Sequence, residues 1–212
     1  YHWFPDVRGA FPTEPPGPDL YWRFHGTLQR HGVALPIWLT ETNRLTQAGS
    51  AALEERQIEF LTQTLPEVLA AGDIERVYWY AWGDFPGQKA DFWQRGLIRA
   101  DRTAKPALLV VPFARRFTDG RGAIERYDDV AVLTFHAPRA AVRHVIAWSR
   151  DGTTHTVELP IGRGETATRT TFPPAEIAKG SCCPTEALVV KNGRIRLSVG
   201  AASVFVEVTG AR

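Results

Sequence analysis

In this 212-residue chain the carboxylate best placed for chemistry is Glu41, which closes the run Pro36-Ile37-Trp38-Leu39-Thr40-Glu41. The run opens on proline and alternates Ile37 and Leu39 with Trp38 and Thr40, the pattern of a short buried strand. If the period of two holds to the end, Ile37, Leu39 and Glu41 point the same way. The first two then lie in a core, and the glutamate sits where that core opens. Removing a charge from water is costly unless partners satisfy it, so such a carboxylate serves either a reaction or a structural ion pair. Spacing leaves both readings open.

A second group of useful side chains is Trp79, Tyr80 and Trp82, in Val77-Tyr78-Trp79-Tyr80-Ala81-Trp82-Gly83-Asp84. Aromatic rings can stack on a ligand, and they can also simply fill a core. Strand alternation separates Trp79 from Tyr80 and Trp82, so at least one set packs under helices. Trp148 reads as core. Asp6 and Asp84 read as loop aspartates. His2 stands at the terminus, and the other five histidines show no metal-ligand spacing, so no metal and no cofactor are expected.

The elements that must position these residues fall into two kinds. Asp6–Pro18 is rich in proline and glycine and reads as a loop. A helix is expected over Leu20–His31, capped by Asp19 and stopped by Gly32. Ser50 caps a longer helix running to Gly72, which Pro66 should kink or shorten. Ile74–Trp82 is dense in strand formers, and Lys105–Phe117 reads as a helix with Pro106 in its first turn. Residues 1–118 thus read strand, helix, strand, helix, strand, helix, with crossovers long enough for parallel βαβ units. From 119 to 212 the pattern changes to short alternating runs: Val130–His136, Val142–Ser149, Thr154–Leu159, Thr166–Phe172, Ala187–Val190, Arg194–Val199 and Ser203–Val208. Asp151-Gly152 and Asn192-Gly193 are preferred hairpin dipeptides, and seven such strands suggest an antiparallel sandwich.

Composition narrows the function. A net charge of +2 with no Lys/Arg block gives no field for nucleic acid. No apolar run approaches the roughly 18 residues of a membrane span. The start, Tyr1-His2-Trp3-Phe4, is not that of a signal peptide, and the absence of methionine suggests part of a longer protein. The two cysteines, Cys182 and Cys183, are adjacent, a spacing that suits neither a metal nor an ordinary disulfide.

Taken in order, these segments resemble clan A retaining glycoside hydrolases. Pro36–Glu41 is similar to the seventh-strand signature, where the glutamate is the nucleophile. His2-Trp3-Phe4-Pro5 resembles the end of strand six, although Phe4 stands where the family has a tyrosine. Val77–Asp84 resembles strand eight, whose tryptophan stacks on the sugar, and Trp79 best matches that position. Gly96-Leu97-Ile98-Arg99-Ala100-Asp101 and Lys105-Pro106-Ala107 resemble the approach to the last barrel helix. Family-39 members then carry a β-sandwich.

The resemblance implies the last three strands of a (β/α)8 (TIM) barrel over 1–118 and a β-sandwich over 119–212. It further implies double-displacement cleavage of O-glycosidic bonds with Glu41 as nucleophile. A glycoside, oligosaccharide or polysaccharide would be the partner, bound by His2, Trp79, Tyr80 and Trp82, and a secreted or periplasmic location is expected. Retaining chemistry needs two carboxylates roughly 5–5.5 Å apart. The family's acid/base glutamate follows an asparagine after strand four, and this sequence contains no Asn-Glu pair. The chain by itself is therefore expected to be inactive. The alternative is a non-catalytic carbohydrate-binding or accessory module.

Overall fold

The computed structural model describes residues 2–3, 18–44, 46, 50–70, 73–85, 94–118, 121–137, 141–173, 176–177 and 182–210. Strands β1 (His2–Trp3), β2 (Ile37–Thr42) and β3 (Ile74–Trp79) form a parallel sheet in the order β1-β2-β3. The expected parallel neighbours are thus present, with helices between them. Most of the Pro/Gly-rich loop, Phe4 and Gly72 lie outside the described residues.

Helix α1 (Pro18–Arg30) fills the first crossover. Tyr21 and His25, one turn apart, are buried on its inner face, and the His25 ring bonds Asp73 just before β3. Gly32, at φ 65°, ends the helix where a side chain would be strained.

The second crossover shows what Pro66 does. Helix α2 (Ala51–Glu59) runs into a π-helical turn over Phe60–Thr64, then into α3 (Leu65–Ala70). Pro66 has no N–H for the carbonyl of Thr62, four residues earlier, and its ring crowds that carbonyl. The wider turn makes room, and Leu65 N–H reaches back to Phe60 O. The freed Thr62 carbonyl accepts from Ser203 Oγ at 3.2 Å, a residue 141 positions later. The expected kink is therefore a π turn that ties this helix to the far end of the chain.

After β3 the expected single helix is two pieces, a 3₁₀ turn over Pro106–Leu109 and α4 (Val111–Thr118). The strands that follow are β4 (Arg121–Tyr127), β5 (Val130–His136), β6 (Val142–Ser149), β7 (His155–Pro160), β8 (Thr166–Thr171), β9 (Thr185–Ala187), β10 (Arg194–Val199) and β11 (Val204–Thr209). They form a six-stranded antiparallel sheet, β4-β5-β6-β11-β8-β9, and a two-stranded ribbon, β10-β7. Strand β4 was not expected, because its side chains are mostly exposed and carry little apolar alternation. β9 covers 185–187 rather than 187–190. Asn192-Gly193 does make a tight turn between Lys191 and Arg194. Asp151-Gly152 instead carries the chain from one sheet to the other, so it is no hairpin. Cys182 and Cys183, Cα atoms 3.5 Å apart, are joined to each other, against the expectation from ordinary disulfide geometry.

The central strands β5, β6 and β11 of the large sheet are buried on both faces. Leu133, Phe135, Ile146, Trp148 and Phe205 share a core with the helices, while Val130, Val132, Val145, Val206 and Val208 share another with Leu159, Ile195 and Leu197 of the ribbon. Double burial explains why Val130–Phe135 is buried without a break and apolar at every position but Thr134. The ribbon has one wet face, so β7 and β10 alternate cleanly between buried and exposed.

Candidate functional site at the strand carboxyl ends

Glu41 lies at the end of β2, and the residue opposite it in β1 is His2. Along β2 and β3 the pairing steps from Leu39↔Val77 to Thr42↔Trp79, three residues against two. The extra residue is a β-bulge, which re-aims the side chains beside it. Thr42, fully buried, therefore continues the buried set of Ile37 and Leu39, whereas Glu41 is half-buried. This corrects the expectation that Glu41 shares a face with Ile37 and Leu39, because the period of two breaks just before it.

The aromatic residues separate. Trp79 is half-buried, its ring edge-on to Phe60 at 5.8 Å beneath the helices, with its indole nitrogen buried. β3 ends there, three residues earlier than expected, and the Tyr80–Ala81 peptide is cis. Beyond the strand end alternation no longer applies: Tyr80 is half-buried, while Trp82 is 62% and Phe85 45% exposed.

Below this rim lies a buried polar layer that the sequence reading did not find. Asn43 Nδ2 donates to Tyr80 O, and Arg95 Nη1 donates to Asn43 Oδ1 at 2.6 Å. Tyr80 N–H donates to Thr42 O at 3.0 Å. Lys105 Nζ reaches Asp84 Oδ2 at 2.8 Å and Thr46 Oγ1 at 2.6 Å, with both side chains of the ion pair almost fully buried. Asp84 Oδ1 also accepts Gly96 N–H at 2.8 Å. A Cβ on Gly96 would come within 2.4 Å of the Gly83 backbone, so only glycine allows this approach. Gln57 Nε2 lies 3.2–3.3 Å from the carbonyls of Arg44, Arg95 and Gly96. Asp84 is a loop aspartate, as expected, and it is buried against Lys105. Burial pulls the Lys105 ammonium below the ordinary lysine range, opposed by its bond to Asp84. The one signal available in sequence was Gln57, a polar residue one turn from Leu53 and Leu61 on an otherwise apolar helix face.

Two other features border the sheet. On the face away from the helices, Trp38 and Tyr78 are 44% and 45% exposed. Arg76 sits 5.0 Å over the Trp38 ring, and Trp38 Nε1 donates to Glu75 Oε2 at 2.9 Å. At the opposite pole from Glu41, a cleft of about 810 Å³ opens at the amino ends of β2 and β3, between α1 and β4–β5. It is walled by Leu28, Val33, Pro36 and Ile37 and holds the His25–Asp73 pair.

No protein-family model matches the sequence. No curated protein matches it either. Solved structures do match the fold. A family 39 glycoside hydrolase from the gut symbiont Bacteroides cellulosilyticus WH2 superposes with a TM-score of 0.61 at 19% identity, over 96% of this chain and 41% of that one. A family 30 endoxylanase from Clostridium papyrosolvens C71 gives 0.57 at 13% identity, over 88% and 45%. CelM2, a bifunctional glucanase-xylanase from a metagenome library, gives 0.56 at 11% identity, over 100% and 43%. The chain spans less than half the length of each of these chains. At such identities the likeness is one of fold alone.

Proposed function

We propose that this chain is the carboxyl-terminal part of a retaining glycoside hydrolase, in which β1, β2 and β3 are the last three strands of a (β/α)8 barrel and the region from 119 onward is its β-sandwich. The observation that carries the reading is the register at the strand ends: Glu41 stands opposite His2, one residue before Thr42, which pairs with Trp79. Barrel enzymes build their active sites at that end of the strands. Glu41 is the nucleophile, and His2, Trp79, Tyr80 and Trp82 are the sugar-binding residues; among the last three, Trp82 is the most exposed. The acid/base carboxylate comes from residues outside this chain, as do the strands that would cover the Trp38 and Tyr78 face.

In the reaction, Glu41 attacks the anomeric carbon as the second carboxyl group protonates the departing oxygen, and water then releases the sugar with net retention. The test uses the protein extended upstream to the complete barrel. Glu41→Gln keeps the shape and removes the attacking charge, so hydrolysis of aryl glycosides falls by several orders of magnitude while sugar binding persists. In Glu41→Gly, azide restores turnover and yields the glycosyl azide of opposite anomeric configuration. Wild-type turnover by Glu41→Gln refutes the assignment.

A further inference from the structure

The polar layer under the rim is costly to build, since its groups are taken from water. Two of its bonds run directly between two turns. One turn leaves Glu41 through Thr42, Asn43 and Arg44, and the other leaves β3 through Tyr80 toward Trp82. We infer that Asn43 and Arg95 are positioning residues that lock these two turns together and so fix Glu41 relative to the aromatic rim. Their functional meaning rests on the reading of Glu41 given above; the lock itself does not.

The geometry gives each residue one job. Asn43 is fully buried and faces both ways, donating to Tyr80 O and accepting from Arg95. An amide can do both at once, from separate atoms, without carrying charge. Arg95, 8% exposed, holds the Asn43 oxygen so that its nitrogen must turn toward Tyr80. Arg95 is held in turn by Gln57 of α2, whose two Nε2 N–H groups are shared among the carbonyls of Arg95, Gly96 and Arg44 at 3.2–3.3 Å. The lock is therefore anchored on a helix and not on another loop. Thr42 O, the acceptor of the Tyr80 N–H, lies one residue beyond Glu41. Any loosening between the two turns is read directly at that amide.

The experiment is residue-resolved amide hydrogen exchange on the 212-residue chain. Asn43→Ala and Arg95→Met each speed exchange of the Tyr80 amide by about tenfold or more, the size expected for losing a buried hydrogen bond. Amides of β6 and β11 in the large sheet keep their protection. Arg95→Lys retains a donor and most of the Tyr80 protection, which the shorter, donor-free Arg95→Met does not. Asn43→Asp keeps an acceptor for Arg95 and loses the donor to Tyr80, so it loosens Tyr80 in a chain that still folds. An unchanged Tyr80 amide in Asn43→Asp, or an equal rise across β6 and β11, overturns the proposal. Because the readout involves no hydrolysis, it stands or falls apart from the role of Glu41.

Discussion

Lys105 is a charge the fold gives no access to bulk water, and its partners are few and fixed. Removing one member of such a pair strands the other, which costs about 3–5 kcal/mol, whereas replacing both by apolar groups is often near neutral. Lys105→Met alone is therefore expected to lower the chemical-denaturation midpoint sharply, and Asp84→Leu combined with Lys105→Met to recover much of the loss. Asp151 shows the opposite kind of charge, at the surface yet held well below the usual carboxylate range, first by His155 and then by the Thr153 N–H and Ser149. A carboxyl whose folded pKa is depressed contributes stability that is complete above its ordinary value of 3.8 and is lost as pH falls below that, through the folded value. Comparing acid unfolding of wild type and Asp151→Asn checks this: the curves should converge as pH drops below about 4. Glu41 was legible as a special carboxylate because a charge ending an apolar run is rare. Its face was not, because a bulge depends on the neighbouring strand and leaves no mark in β2 itself.

At the level of elements, periodicity found β2, β3 and most of the antiparallel strands, since a face buried against a partner imposes its period on the sequence. It missed β4, whose residues face solvent, and it placed the end of β3 too late, since Tyr80–Trp82 carry strand propensity without strand pairing. Pro66 announced a disturbance, but its remedy lay in Ser203, too distant for any local pattern to reveal. Ser203→Ala strands the Thr62 carbonyl in a buried setting and should cost about 1–3 kcal/mol in equilibrium unfolding. The contact of α4 with the sheet rests on rings: Phe117 lies 4.8 Å from Phe135 and 5.8 Å from Phe205, and Phe113 lies 5.6 Å from Phe205. Phe205, 1% exposed, is their common neighbour, so Phe205→Ala should cost about 3–5 kcal/mol, measured the same way.

For the molecule as a whole, the parallel sheet keeps one face turned away from the helices, with Trp38 and Tyr78 nearly half exposed. Flat apolar surface beside open strand edges invites pairing with other chains. Sedimentation of the isolated chain should therefore show association that rises with concentration and weakens in Trp38→Lys. The switch of period near residue 119 marks where the parallel strands give way to antiparallel ones, but the depth of contact across that switch was not legible, since Phe135, Ile146 and Phe205 look in sequence like ordinary sandwich core. In the structure they belong to the same core as Leu65, Val68 and Phe117. Two regions that share a core share a melting transition, so calorimetry should record one endotherm rather than two. The same feature sets the terms on which the β-rich region can be inherited: cut free at residue 119 it would carry its aromatic face bare into water, so it should travel between proteins only together with the helices that cover it, and not as a detachable cassette.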